Sequence, residues 1–294
     1  MMSDCKQTYD LSVVVPVYND RMHIEGCVTS ILKALSKVDI SSEVIVLDNA
    51  SYDGTFEVLN QFRNEITIFR NERTIPLFQN IKKVYSKAQG SYCLLVGSDD
   101  ELESDFFHPF FVINENIHEC DIYIGNTRCI YTNKKEEIYD FSYLNKKNSN
   151  FFNSIFNKKL KTNLLISLIA KTDRVQNLLR QLPDELHRGD GIDRLLLLGL
   201  LYKASVQFDS RSVYVKRRRT GSDLVQVDFW RPLRTGMIAY KIVNRNASCK
   251  NFQAFGIGIR YGFFKFKTEL KLLIKICYRA IKRFVARGEV LSKL

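Results

Sequence analysis

Several features that would narrow the function quickly are missing. The 294 residues contain one tryptophan, five prolines and no pair of cysteines at CxxC spacing. The seven cysteines (Cys5, Cys27, Cys93, Cys120, Cys129, Cys249 and Cys277) are scattered and odd in number. They seed neither a zinc site nor a redox motif and read as reduced structural thiols. No window holds the roughly 18 apolar residues of a membrane-spanning helix. The opening residues, MMSDCKQTYD, lack the apolar stretch of about 7 to 15 residues that a signal peptide needs, which predicts a cytoplasmic location. Neither GxGxxG nor GxxxxGKS/T follows the first apolar run, which argues against a nicotinamide-dependent dehydrogenase and against a P-loop NTPase. Internal repeats, zinc-finger spacing and RNP-like motifs are also missing, so no nucleic-acid partner is expected.

What is present suits a globular protein: 45% hydrophobic and 26% charged residues, with a net charge of +12. At roughly 150 residues per domain, the length fits one large domain or a domain with an appendage. The positive excess implies something anionic, such as nucleotide phosphates or an acidic membrane surface. Residues 11–17, LSVVVPV, form a continuous β-branched run, which predicts a strand buried on both faces. Ile24, Cys27, Val28, Ile31, Leu32 and Leu35 then recur at helical spacing, one apolar stripe against a sheet. The pattern repeats: a strand over 43–48, a helix carrying Phe56, Leu59 and Phe62, a strand over 66–69, a helix carrying Leu77, Ile81, Val84, Tyr85 and Ala88, and a strand over 92–96. Strands joined by helical crossovers predict an α/β fold with a doubly wound, mostly parallel sheet flanked by helices. DIYIGN, RCIYT and EEIYDF within 121–141 read as three further strands, and 192–203 as a buried helix. SVQFD and SVYVK read as two short strands. From about 228 the chain turns aromatic and basic, so a boundary is placed between a domain at 1–227 and a C-terminal region at 228–294.

In open α/β sheets, ligands bind beyond the carboxyl ends of the strands. Pro16, Tyr18, Asn19 and Asp20 end the first strand; Asp48, Asn49 and Ser51 follow the second; Gly97, Ser98, Asp99 and Asp100 follow the fourth. Paired carboxylates such as Asp99 and Asp100 are costly unless something neutralises them. Mg²⁺ or Mn²⁺ does so, completing its octahedron with water and phosphate oxygens. Alternatively SDDELES caps a helix. Asp48 and Asn49 either hydrogen-bond a base or ribose or form an Asx-turn.

VVVPVYND at 13–20, VIVLDNASYDGT at 44–55 and QGSYCLLVGSDDEL at 89–102, in this order and spacing, resemble the family 2 glycosyltransferases, inverting enzymes with the GT-A fold. The resemblance makes 8–105 the nucleotide-binding half and 106–227 the acceptor-side half. It implies a nucleotide-sugar donor, UDP by default, and a glycan or lipid-linked acceptor of the kind used in bacterial surface polysaccharide synthesis. By it Pro16, Tyr18, Asp48, Asn49, Asn80 and Ser98 line the nucleotide pocket, with Tyr18 beside the base. The family's DxD tract falls on Gly97-Ser98-Asp99, so its first acid is missing while the usual metal ligand is kept as Asp99, with Asp100 next to it. The general base that takes the acceptor's proton is expected in RGDGIDRLLLL, at Asp193, with Asp190 as the second candidate. Arg217 or Arg219, in the basic run after SVYVK, is expected to offset charge on the diphosphate.

Between Arg260 and Lys293 there are ten Lys or Arg and two acids. Leu270, Leu273, Ile274, Cys277, Ile281, Phe284 and Val285 fall at helical spacing among them. Such a basic amphipathic helix suits an anionic membrane surface, or packs on protein. Two other readings stay open: a degenerate scaffold that keeps the fold without turnover, and a basic nucleic-acid-binding protein.

Overall fold

The β-branched run becomes the centre of β1 (Tyr9–Val17), where Leu11, Val13, Val14 and Val15 are sealed from solvent because helices cover both faces of the sheet. In the computed structural model, residues 9–113, 120–142, 168–186, 192–201, 204–218 and 237–238 are described. The chain divides into two compact units, Met1–Ser222 and Asp223–Leu294, and every element below belongs to the first.

The helix α1 (Arg21–Leu35) buries Ile24, Cys27, Val28 and Ile31, the stripe expected from spacing. It leads to β2 (Ser42–Asp48), then α2 (Thr55–Leu59) with a 3₁₀ turn at Asn60–Phe62, then β3 (Thr67–Arg70), α3 (Leu77–Tyr85) and β4 (Gly90–Leu95). β1 pairs in parallel with both β2 and β4, and β2 with β3, so these four strands all end at one edge. Pro16 fits this sheet because the Val14 carbonyl accepts from Val96 on the β4 side. Two residues on, Pro16 faces the same side beyond the last β4 partner, where its missing N–H breaks no ladder bond.

The second half is mixed in direction. It comprises β5 (Glu101–Leu102), β6 (Ile122–Tyr131), β7 (Glu136–Tyr139), β8 (Leu168–Lys171), α4 (Thr172–Gln181), α5 (Ile192–Leu201) and β9 (Val206–Arg218). The sheet runs β3-β2-β1-β4-β8-β6-β9-β5, with β7 on β6. β8 is antiparallel to β4, which turns the chain so that α4 climbs back towards the edge where β1, β2 and β4 end.

Two expectations from the sequence are corrected in detail. DIYIGN and RCIYT form one strand, β6, and SVQFD and SVYVK form one strand, β9. The reason is a bulge between Ile124 and Asn126 that keeps the chain in the ladder. Gly125 makes the bulge possible, since a Cβ there would lie 2.4 Å from the Ser212 carbonyl oxygen. Between the two halves sits an aromatic core: Phe106 meets Phe107 edge-on at 5.1 Å, and Phe110 meets Tyr123 at 4.5 Å. All four rings are fully buried, each contributing roughly 1.5–3 kcal/mol of apolar burial.

Candidate active site

The parallel topology brings the ends of β1, β2 and β4 side by side, and with them Tyr18, Asp48, Asn49, Ser98, Asp99 and Asp100. The loops after β1 and β2 are laced into one unit. The Asn19 N–H donates to Ser51 Oγ at 2.9 Å, the Tyr52 N–H to Asn19 Oδ1 at 3.0 Å, and the Asp20 N–H to Thr55 Oγ1 at 2.8 Å. Asp53 accepts from the Arg21 N–H and from Thr55. Burial opposes ionisation there, but these hydrogen bonds outweigh it and hold the Asp53 carboxyl below its usual value. Asn19 and Ala50 have positive φ, 49° and 59°. Asn tolerates that conformation, whereas at Ala50 it stores about 1–2 kcal/mol. Tyr18 and Tyr52 stand over these loops, 45% and 82% exposed, with rings edge-on at 6.4 Å.

Asp48 is fully buried, paired with Arg70 Nε at 3.0 Å and accepting from the Ser51 N–H. Arg70 also donates to the Ser51 carbonyl and lies 4.3 Å over the Phe56 ring. Asn49 is bonded on both sides of its amide. Its Nδ2 donates to the Ile75 carbonyl, and its Oδ1 accepts from the Ile75 N–H and from Asn71. The Asn71 Nδ2 donates also to Asn80 Oδ1 at 2.9 Å, and Asn71 Oδ1 accepts from Lys83 Nζ at 2.7 Å. Asn49, Asn71 and Asn80 thus form a buried amide lattice that joins the ends of β2 and β3 to α3. Arg70 and Asn71 were not singled out from the sequence. They stand at the carboxyl end of β3, and the rule applied to the other three strand ends finds them.

On the β4 side, Ser98 Oγ donates to Asp20 Oδ2 at 2.7 Å, and Asp20 Oδ1 meets His23 Nδ1 at 2.8 Å. Asp20, Asp99, Asp100 and Glu101 concentrate negative charge around Cys27. Its thiol is pushed well up, first by burial and then by these carboxylates. Asp100 is 1% exposed and faces β9: its carboxylate accepts from Tyr214 Oη at 2.8 Å, Lys216 Nζ at 3.1 Å and the Arg217 N–H at 2.9 Å. Burial still pushes its carboxyl up, against the pull of Lys216. Gly97 is fitted to this arrangement, because a Cβ there would sit 2.7 Å from Asp100 Oδ2. An acid at position 97 and Asp100 in its present place exclude one another. Asp99, by contrast, is half-buried at the end of the tract.

Arg217 turns its guanidinium to Glu101 Oε1 at 2.7 Å, so as placed it neutralises a protein carboxylate. Asp193 is the second residue of α5, and its side chain lies outside the described residues. Asp190, Arg219 and the segment 260–294 also lie outside them. Among the described residues no group of three or more His, Cys, Asp or Glu is arranged to hold a metal ion by itself. Among the described residues the donor set fits a divalent ion in the mode where one protein carboxylate is completed by substrate phosphates and water. Among the described residues no helix is long and apolar enough to cross a membrane. Cys27, Cys93, Cys120 and Cys129 are buried thiols that form no disulfide.

A parallel, helix-flanked half continued by a mixed half-sheet, with acids where they meet, is the GT-A architecture. The sequence model of glycosyl transferase family 2 matches residues 12–169, more than half of the chain, and the protein belongs to that family. It is 26% identical over 198 residues to abequosyltransferase RfbV of Salmonella typhimurium, covering 62% of this chain and 55% of that one. It is 29% identical over 121 residues to glycosyltransferase GlyG of Streptococcus pneumoniae, covering 40% of this chain and 38% of the relative. The chain therefore spans about half or less of the length of these curated relatives. Among solved structures it resembles residues 1–349 of S. aureus TarS in complex with UDP-GlcNAc, with a TM-score of 0.64, 19% identity, and coverage of 87% of this chain and 72% of that one. It also resembles a mannosyltransferase from Pyrobaculum calidifontis in complex with GDP-Man and Mn²⁺, with a TM-score of 0.50, 13% identity, and coverage of 97% and 81%. At such identities these likenesses establish the fold.

Proposed function

We propose that the protein transfers a sugar from a nucleoside-diphosphate sugar to a hydroxyl of a glycan or lipid-linked acceptor, with inversion, in the synthesis of a bacterial surface polysaccharide. The observation that carries this is the convergence of Tyr18, the Asp48-Asn49 loop and the Ser98-Asp99 tract on one sheet edge in a family 2 chain. The likeness to an abequosyltransferase supports sugar transfer, and the UDP-GlcNAc bound by TarS supports UDP as the default nucleotide.

In this reading Pro16, Tyr18, Asp48, Asn49, Asn80 and Ser98 form the nucleotide side. Exposed Tyr18 packs on the base, and the amide lattice fixes the loop that carries Asp48 and Asn49. Asp99 holds Mg²⁺ or Mn²⁺, which when bound supplies positive charge to the diphosphate oxygens. Asp100 tethers the tract to β9 through Tyr214, Lys216 and Arg217. Asp193, or Asp190 in its stead, takes the proton of the acceptor hydroxyl as that oxygen attacks the anomeric carbon. The bond from that carbon to the diphosphate oxygen breaks on the opposite face, its electron pair leaving with the nucleotide. Arg219 is the remaining candidate to meet the diphosphate, because Arg217 is engaged with Glu101. Within the C-terminal region at 228–294, the basic residues and helically spaced apolar residues of 260–294 are the candidate contact with the anionic inner face of the cytoplasmic membrane.

The test is thermal stabilisation by a panel of nucleoside diphosphates and nucleotide-sugars with Mn²⁺, Mg²⁺ or EDTA. Ligand at about 100 times its Kd stabilises by roughly 2.7 kcal/mol. A metal-dependent shift that is lost in Asp99→Ala supports the reading. The absence of any shift with every nucleotide overturns it in favour of a degenerate scaffold.

A further inference from the structure

A cleft of about 530 Å³ lies between α3 and α4, within the size range of small-molecule sites. Its charge is one-sided: Lys82, Lys83 and Arg180 line it against a single acid, Asp184. Lys82 closes one end by pairing with Asp184 and donating to the Leu182 carbonyl at 3.1 Å. Lys83 donates to Asn71 Oδ1 at 2.7 Å, which uses one of the three N–H groups of its ammonium. Arg180 is exposed and donates to Asn177, leaving most of a five-donor guanidinium for the cleft. Gln79 and Gln176 add amide groups along the wall. The Gln176 Nε2 is spent on the carbonyls of Tyr85 and Ala88, so the side chain is held still.

We propose that this cleft binds the phosphate ester of a sugar or polyol, as a second ligand site beside the nucleotide pocket. Cations on two facing helices suit a phosphate that accepts from both, since charge-assisted hydrogen bonds are the strong ones and an arginine fork matches the geometry of phosphate oxygens. The amides suit hydroxyl groups on the remainder of the ligand. Ile75 is both a wall of the cleft and a partner of Asn49, and Lys83 is tied to Asn71, so the site abuts the nucleotide-side lattice without using Asp99. The same chemistry is offered by a free sugar phosphate and by a phosphate-linked acceptor chain.

Isothermal titration of the full chain with glucose 6-phosphate, glycerophosphoglycerol and, as neutral controls, glucose and glycerol tests this. Binding of either phosphate compound without binding of its neutral counterpart is expected, and it should weaken at least about tenfold in Arg180→Gln or Lys82→Ala through loss of one charge-assisted bond. Preference for the monoester assigns a free sugar phosphate; preference for the diester assigns a phosphate-linked chain. Binding unchanged in both variants, or no binding of either phosphate compound to the wild type, overturns the proposal. Far-ultraviolet circular dichroism confirms that each variant is folded, with Arg180→Gln as the milder change. A nucleotide titration on the same samples keeps the donor reading separate: its failure leaves the result at the cleft standing.

Discussion

Gly97→Ala tests whether the missing acid of the tract is a packing consequence of Asp100. The new Cβ would lie 2.7 Å from Asp100 Oδ2, closer than a Cβ and an oxygen ordinarily approach, and 3.3 Å from its Cγ, a tight contact. The carboxylate cannot swing aside freely, because Tyr214, Lys216 and the Arg217 N–H hold it at 2.8, 3.1 and 2.9 Å. Releasing one hydrogen bond to a charged group costs about 1.5–3 kcal/mol. Replacing glycine returns about 0.4–1 kcal/mol by restricting the unfolded chain. The expected net loss is about 0.5–2.5 kcal/mol, a fall in Tm of roughly 1–10 °C for a domain of this size. Calorimetry of a double-mutant cycle isolates the cause: in an Asp100→Ala background the same substitution should cost less than about 0.5 kcal/mol, the limit of ordinary additivity. An unchanged Tm in the single variant, or an equal loss in both backgrounds, would refute the argument. Gly97→Asp should lose at least as much stability as Gly97→Ala and gain no metal-dependent nucleotide binding.

Asn71→Ala removes the centre of the amide lattice and strands Asn80 Oδ1, so a loss of about 1–3 kcal/mol in urea unfolding is expected, together with weaker nucleotide stabilisation; full nucleotide response would detach the lattice from the pocket. Ala50→Gly relieves the residue at φ 59° and should raise stability by up to about 1.5 kcal/mol, strain relief of about 1–2 kcal/mol being partly cancelled by about 0.4–1 kcal/mol of unfolded-chain entropy; a lowered urea midpoint contradicts this. Burial pushes the Cys93 thiol up to about 12 and the Cys27 thiol well up, so both stay protonated and unreactive at pH 8. Mapping alkylation by mass spectrometry should find them labelled only after unfolding, and labelling of the native protein would show that they are open to solvent.

The sequence by itself determined the parallel half. LSVVVPV and EVIVLD can be buried only as central strands, and the stripe from Ile24 to Ile31 has one face to hide, so element type and order follow from periodicity and burial. It also placed Tyr18, Asp48, Asn49 and Asp99 at a common edge, since parallel strands joined by helices must all end on the same side. What only the tertiary structure decided is how those groups are used, because their partners are far away in the chain. Asp100 and Asp99 are neighbours in sequence, yet Asp100 is claimed by Tyr214 and Lys216, 114 and 116 residues downstream. Arg217, expected at a diphosphate, is drawn to Glu101, 116 residues before it. Asn71 joins Asn49 and Asn80 across three different elements, and no local spacing encodes that meeting. Backbone pattern is set by neighbours within a few residues, whereas the hydrogen-bonding capacity of a buried polar group is assigned by whichever strands the sheet lays beside it.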